Sequence, residues 1–368
     1  MRRGGVRSFL QTAHLWLALV LSLPIVVIGL TGSALLLQRE FLAYSIPRAH
    51  TPGESKPIPI IIEAAKRVAL AGTNPVRFDL PRHPGYASIV RFSQASENAN
   101  EREVFVDPVS LQILGAQDVI ERGPILALLI ETHAFLQMPT QIGLPFVGFN
   151  GVIMTFMGLS GLVLWWPRKG KWKEGFLIRR GARGLAFHFE LHKAAGIWGL
   201  VVFLLVCVSG IYMTFPEAIG GAIRDAFPAE EVTPTPQAGF VPRNHPVGPD
   251  EALEVAASAI PNVRPTGIQF GGEGEPFVVD LEPQGWVPSS PLAIVLLDPK
   301  TADVQYIEDP RAYPLRERIL NLQPLFHFGI GLGWVWTALV FLSGLLPALL
   351  ATTGLTVWWK RRKARKAL

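Results

Sequence analysis

The sequence predicts a membrane protein with a core of four transmembrane helices and two α+β units outside the bilayer. Three observations predict this fold class: four long apolar stretches, an uneven distribution of basic residues, and a repeat of the whole plan. The composition agrees, because only 17% of the residues are charged, whereas a soluble domain carries about 25%. This shortfall argues against a purely soluble enzyme.

The four apolar stretches are long enough to cross a bilayer. They cover approximately residues 15–37, 144–166, 197–215 and 329–359, and about 20 apolar residues cross ~30 Å of hydrocarbon. The fourth stretch contains Pro347, which predicts a kink or a strong tilt. The first follows a basic MRRGGVR segment. Because its apolar run exceeds the ~7–15 residues of a signal peptide, we interpret it as an uncleaved anchor.

The basic residues predict the orientation in the membrane. Seventeen of the 34 Lys and Arg residues lie before the first stretch, after the second, at the start of the third or after the fourth, with only Glu174 and Glu190 among them. The two long regions between stretches hold the other 17 basic residues and 27 acidic ones. By the positive-inside rule, both termini and the middle loop are cytoplasmic. The net charge of +5 therefore reflects topology, and we expect no nucleic-acid binding.

The membrane stretches repeat at a large period. His14 precedes Gly32 by 18 residues in the first stretch, and His192 precedes Gly210 by 18 residues in the third. The second stretch ends in SGLVLWW and the fourth in TGLTVWW. Such self-similarity predicts an internal duplication. It also supports the anchor, since a cleaved signal would not be expected to copy an internal membrane helix.

The two outer regions repeat as well. Each begins with a segment of amphipathic helical pattern, IPIIIEAAKRVAL or GPDEALEVAASAI, and continues with strand-like segments. The Asp107-Pro108 and Asp298-Pro299 pairs suit turns between strands. Each unit of ~60–70 residues would have a marginal core alone. We therefore expect it to pack on the membrane part or on its twin.

The resulting domain plan has nine segments. They are a first transmembrane helix (8–40), an outer α+β unit (45–120), an interfacial helix (121–140), a second transmembrane helix (143–167), a cytoplasmic loop (168–185), a third transmembrane helix (186–215), a second outer α+β unit (216–311), an interfacial helix with the fourth transmembrane helix (312–360), and a cytoplasmic tail (361–368).

These features resemble the PepSY-associated transmembrane helix family. The matching segments are the early HLW with TG, SGLVLWWPR, LHKAAGIWG, LFHFG and the two outer units, over nearly the whole chain. The resemblance implies PepSY-like outer units, a bacterial inner-membrane location and, as in several members, a di-haem reductase that releases Fe(II) from a ferric siderophore, of the ferrioxamine reductase type. Some relatives carry a flavin or nicotinamide module that this sequence lacks. The expected electron donor is therefore separate: a quinol, a flavoprotein or a small reductant.

The histidines are the candidate metal ligands, because ionisable groups in a bilayer are costly and usually functional. The predicted topology sorts the eight into three groups. At the cytoplasmic ends lie His14, His188 and His192; at the outer ends lie His133 and His327; in outer polar segments lie His50, His83 and His245.

Two axial imidazoles from facing elements can hold one haem iron, but ligands ~30 Å apart cannot share it. The repeat therefore pairs His14 with His192 and His133 with His327, which gives two haem b groups. His188 lies one helical turn before His192 and is an alternative ligand. The single cysteine, Cys207, excludes an iron–sulfur cluster, and no CxxCH is present for covalent haem attachment.

Several alternatives remain open from the sequence. A zinc site needs three or four ligands, which would require Glu131 or Glu190 to join a histidine pair, and the histidines could also be interfacial residues without a metal. Small residues such as Gly29, Ser33 and Ser209 suit either a flat macrocycle or helix packing. The functional alternatives are a non-enzymatic membrane protein that binds an envelope peptidase or another partner, and a haem subunit that delivers electrons to a partner protein. No catalytic residue is assigned.

Overall fold

The computed structural model describes residues 3–45, 47–93, 101–118, 124–167, 170–228, 246–272, 274–285 and 291–366. His245 lies outside the described residues. The chain divides into two compact units. The helical unit comprises Met1–Gln38, Ile125–Phe227 and Ile319–Leu368, and the sheet unit comprises Arg39–Pro124 and Pro228–Arg318.

The described helices are α1 (Arg3–Ser45), α2 (Ile58–Lys66), α3 (Pro124–Phe135), α4 (Thr140–Trp165), α5 (Trp172–Phe176), α6 (Gly184–Thr214), α7 (Pro216–Ala226), α8 (Pro249–Ala259), α9 (Leu315–Phe328) and α10 (Gly333–Lys366). The strands are β1 (Asn74–Asp79), β2 (Ser88–Ser93), β3 (Arg102–Val106), β4 (Ile113–Asp118), β5 (Val263–Gln269), β6 (Phe277–Pro283), β7 (Ala293–Leu297) and β8 (Val304–Glu308).

Four helices of the helical unit, α1, α4, α6 and α10, are long and apolar enough to cross a membrane. The four predicted spans are therefore confirmed as helices. Helix α6 begins at Gly184, well before the apolar run at residue 197, because polar residues with good helix propensity continue the helix beyond the apolar stretch. Helix α10 continues through Pro347 without interruption.

Close backbone approach joins the spanning helices. A Cβ atom built on Gly29 of α1 would lie 2.5 Å from the carbonyl oxygen of Gly344 in α10, so these helices meet where neither has a side chain. Helices α1, α4 and α6 meet at a small buried cluster of Ile25, Met154 and Cys207. Gly29 is thus a helix-packing residue.

The sheet unit contains one antiparallel sheet of eight strands in the order β4-β3-β2-β1-β5-β6-β7-β8. Each predicted outer unit supplies one helix and four consecutive strands. The two sets of strands join edge to edge where β1 pairs with β5, with Phe78 opposite Ile268. The strands expected in two separate units thus form one sheet, and each half completes its marginal core with the other.

Helices α2 and α8 share a single hydrophobic core with the sheet. The strands alternate buried and less buried residues, as in β2 and β7, which is typical of a sheet with one covered face. The largest fully buried apolar side chains of this core are Phe78, Phe92, Ile61, Ile268, Leu281, Leu297, Val90, Val104, Val106, Val279 and Val295. They come from both halves, so the halves are expected to unfold together.

The predicted Asp-Pro turns connect β3 to β4 and β7 to β8, and they differ in how tightly their aspartates are held. The Asp107 side chain is 2% exposed, and its carboxylate accepts hydrogen bonds from the Thr51 hydroxyl at 2.8 Å and from the Val109 and Ser110 amides at 2.9 and 3.1 Å. Asp298 is less buried and binds the amides of its own turn.

Asp107→Ala is expected to lower the free energy of unfolding of the sheet unit by about 2–3 kcal/mol, because buried donors lose a charged acceptor. The matched change Asp298→Ala should cost about 1 kcal/mol, since its turn is partly exposed. Thermal unfolding of the full chain in detergent, with hydrogen exchange at the Val109 and Ser110 amides, measures the difference. Equal effects of the two variants would contradict the assigned role of the Thr51 contact.

Candidate functional site

His133 and His327 lie side by side in the helical unit. They belong to the short helices α3 and α9, which precede α4 and α10. Their ring centroids are 5.9 Å apart and their planes are tilted by 46°. Two imidazole nitrogens that bind one metal ion at about 2.0 Å place their ring centroids roughly 6 Å apart. The observed spacing therefore fits two ligands of a single metal.

A backbone carbonyl fixes the orientation of each of these rings. His133 Nδ1 lies 2.8 Å from the carbonyl oxygen of Ile28 in α1, and His327 Nδ1 lies 3.2 Å from that of Val206 in α6. A carbonyl oxygen can only accept, so each Nδ1 is assigned the proton and donates it. In the neutral ring, Nε2 then carries the free lone pair, which is the arrangement of a metal-ligating histidine.

Two glycines let these rings lie against helix backbone. A Cβ built on Gly32 would lie 2.7 Å from His133 Cε1, and one built on Gly210 would lie 2.9 Å from His327 Cε1. Both distances are shorter than real Cβ contacts allow. The glycine that follows each spanning-helix histidine by 18 residues therefore contacts the histidine of the other level.

Both rings are neutral at neutral pH. Burial lowers the pKa of His327 to about 4, and the charge of a protonated His133 lowers it further. Burial also lowers the pKa of His133, although its Ile28 partner acts in the opposite direction. Since a metal binds the unprotonated imidazole, no proton has to be displaced from Nε2 at neutral pH.

His14 and His192 form the second level of the site. His14 lies about 27 Å from Gly32 along α1, at 1.5 Å per residue, so it cannot share a metal ion with the His133 level. His192 occupies the corresponding position near the start of α6. The two imidazoles are within electrostatic range of each other.

The His14 and His192 rings contact the same sequence element in the two halves. His14 Nδ1 lies 2.9 Å from the Ser160 hydroxyl in α4, and His192 Nδ1 lies 3.0 Å from the Thr353 hydroxyl in α10. The glycine after each hydroxyl residue contacts the ring, at 3.6 and 3.4 Å from the built Cβ to Cε1. Each half thus connects its first helix to its second through one histidine.

The remaining described histidines lie away from these two levels. His188 is one turn before His192 in α6, is partly buried, and contacts the Phe187 ring edge-on at 5.8 Å. His50 and His83 are exposed, and His83 contacts the Tyr86 ring at 6.0 Å. The structure brings together the residues that the repeat paired.

The donor set consists of pairs of imidazoles. In the described part of the chain, no group of three or more His, Cys, Asp or Glu side chains is arranged to hold a metal ion. Glu190 accepts from the Arg179 amide at 2.8 Å and pairs with its guanidinium group, while Glu131 is exposed. A pair of neutral imidazoles suits the two axial positions of a haem and falls short of a zinc site.

Sequence reasoning did not find the groups that bind Nδ1. Ser160 and Thr353 stand directly before glycine in SGLVLWW and TGLTVWW, and this repeated hydroxyl-glycine pair is the signal that could have found them. The Ile28 and Val206 carbonyls have no side-chain signature, because every residue carries a carbonyl. Ser209 donates to the Leu205 and Val206 carbonyls of its own helix.

Comparison with known proteins places the chain among membrane proteins. The family model described as PepSY-associated TM region matches residues 11–361, which is nearly the whole chain. The match includes all four spanning helices and the four paired histidines. No match was found among curated proteins.

Proposed function

Because the chain belongs to the PepSY-associated TM region family, we propose that it is a di-haem membrane reductase that passes electrons across the bacterial inner membrane to a ferric siderophore. In this proposal both termini are cytoplasmic and the sheet unit, with its duplicated PepSY-like halves, is extracytoplasmic. The electron donor is a separate quinol, flavoprotein or small reductant on the cytoplasmic side.

The observation that carries the proposal is the His133 and His327 pair. Its centroid separation of 5.9 Å fits two ligands of one iron, and both Nδ1 atoms are already used by carbonyls. His133 and His327 would hold one haem, and His14 and His192 the other. When bound, a haem with two axial histidines supplies a one-electron carrier.

The residues of the helical unit supply orientation and insulation. The Nδ1 contacts fix the tautomer of each ring, so that Nε2 is the free nitrogen. The apolar spanning helices exclude water and ions between the two levels. An outward electron gains ~2.3 kcal/mol per 100 mV over the full membrane potential when the interior is negative. This direction agrees with the basic residues that the positive-inside rule places in the cytoplasm.

The proposed overall reaction transfers one electron to each iron. The donor is oxidised by one electron, the siderophore-bound Fe(III) becomes Fe(II), and no bond of the chelator is broken. Fe(II) is a weaker Lewis acid toward hard oxygen donors, so it leaves the chelator more readily.

The test is a spectroscopic titration of the full chain purified in detergent. The protein is reduced with dithionite, freed of excess reductant by gel filtration, and mixed with ferrioxamine. We expect two b-type haems per chain, loss of the reduced haem spectrum, and one Fe(II) per electron trapped by bathophenanthroline disulfonate. Gallium-loaded siderophore is the matched control, because Ga(III) is not reduced under these conditions.

The other results separate the competing functions. A colourless protein that takes up no haem would overturn the proposal and favour a membrane protein that binds an envelope partner. A haem protein that ferrioxamine and other ferric siderophores leave reduced would instead favour an electron-transfer subunit. Reoxidation by gallium siderophore would show that the assay does not report iron reduction.

A further inference from the structure

The two levels of the site differ in the kind of group that accepts from Nδ1. At the His133 and His327 level the acceptors are the main-chain carbonyls of Ile28 and Val206. Hydroxyl groups acceptable to substitution stand at the other level, where Ser160 and Thr353 face His14 and His192. Side-chain replacement can therefore remove an acceptor at one level only.

The proton of each hydroxyl is already used. The Ser160 hydroxyl donates to the Met157 carbonyl at 3.1 Å, and the Thr353 hydroxyl donates to the Leu349 carbonyl at 2.7 Å. A hydroxyl has one proton and two lone pairs. With the proton committed to the helix backbone, the oxygen presents a lone pair to the ring, and the imidazole must be the donor.

Further contacts support the same tautomer. His192 Nδ1 also lies 3.1 Å from the Leu350 carbonyl, and the Met157 backbone hydrogen-bonds to His14. Ser160 is 3% exposed and Thr353 is 2% exposed, so water does not replace the hydroxyl easily. Both residues hold corresponding places in the two halves, directly before the glycine that contacts the ring.

We infer that Ser160 and Thr353 are positioning residues that hold His14 and His192 with Nδ1 protonated, direct Nε2 to the iron, and raise the basicity of both ligands. The inference rests on the proposed function, because it assigns a haem to this level. A hydrogen bond accepted from Nδ1–H makes the imidazole a stronger electron donor and stabilises Fe(III). Its loss therefore raises the reduction potential.

The bland explanation is that the two hydroxyls only satisfy themselves within their helices, as Ser and Thr commonly do. That role would leave the tautomer and the potential unchanged when the hydroxyl is removed. The level of His133 and His327 provides the control. Thr31 and Ser209 donate to the same Ile28 and Val206 carbonyls that accept from the rings, and Thr31 lies 3.4 Å from His133 Nδ1.

The test compares Ser160→Ala/Thr353→Val with Thr31→Val/Ser209→Ala in the full chain. Spectroelectrochemistry should show that the first variant raises one midpoint potential by about 60 mV, which is a tenfold change for a one-electron couple. The shifted haem should be the one that His14→Ala removes. The Thr31→Val/Ser209→Ala variant should leave both potentials in place, and Ser160→Thr/Thr353→Ser should restore the wild-type values.

Unchanged potentials in Ser160→Ala/Thr353→Val, with both haems bound, would overturn the inference. If that variant fails to fold, the single change Ser160→Ala is measured in its place. Nitrogen-15 spectra of histidine-labelled, haem-free protein give a second readout. Wild-type His14 and His192 should show the Nδ1–H tautomer, and the variant should show a mixture. This readout separates the inference from the proposed function, since it does not need haem.

Discussion

Replacing His133 or His327 by alanine is expected to remove one of the two haems. The rings lie 5.9 Å apart and belong to different halves of the chain, so each variant leaves a single imidazole at that level. A lone histidine cannot fill both axial positions, and the second ligand supplies much of the affinity for the iron. The pyridine haemochrome content should fall from two haems to one per chain.

The controls for this result are the exposed histidines. His50→Ala and His83→Ala should keep both haems, because neither residue lies at either level of the helical unit. His14→Ala should remove the other haem, and combining it with His327→Ala should leave none. Retention of two low-spin haems in His133→Ala or His327→Ala would contradict the pairing of these residues.

Adding a methyl group at the glycine seats is expected to separate the two levels. Gly32→Ala and Gly210→Ala place a Cβ 2.7 and 2.9 Å from the histidine Cε1 atoms, so the ring or the helix must move. Overpacking of this kind costs about 1–3 kcal/mol. We expect a loss of roughly 5- to 150-fold in affinity for the haem at the His133 level, measured by haem titration of haem-free protein.

The same substitution in the other halves of the repeat is the matched comparison. Gly161→Ala and Gly354→Ala place the Cβ at 3.6 and 3.4 Å from the ring, which is close to ordinary van der Waals contact. Both variants should bind two haems with nearly wild-type affinity. Equal losses in all four variants would show that the glycines serve helix packing rather than the histidine rings.

The sequence predicts the elements well and their junction poorly. The long apolar runs predict α1, α4, α6 and α10, and alternating burial accounts for the strands, because local periodicity determines these features. No local pattern tells which strand edges meet. The pairing of β1 with β5 joins segments nearly two hundred residues apart, so periodicity could not distinguish one shared sheet from two separate sheets.

The candidate site divides in the same way. The 18-residue spacing from His14 to Gly32 and from His192 to Gly210 pairs the histidines correctly across the halves, since a duplication preserves such intervals. It does not indicate that each glycine contacts a histidine of the other level, because that contact depends on how α3 and α9 fold back onto the spanning helices. The Nδ1 acceptors also required the structure.

The β1–β5 pairing has a consequence for how such a chain could have arisen. A protein with only one half would leave its first strand as an open edge, and an antiparallel edge can pair with the same edge of a second copy about a twofold axis. Two short chains could thus have built the same eight strands as a homodimer. Covalent fusion replaces that bimolecular association with a high effective concentration, so assembly becomes independent of dilution and each half is free to diverge.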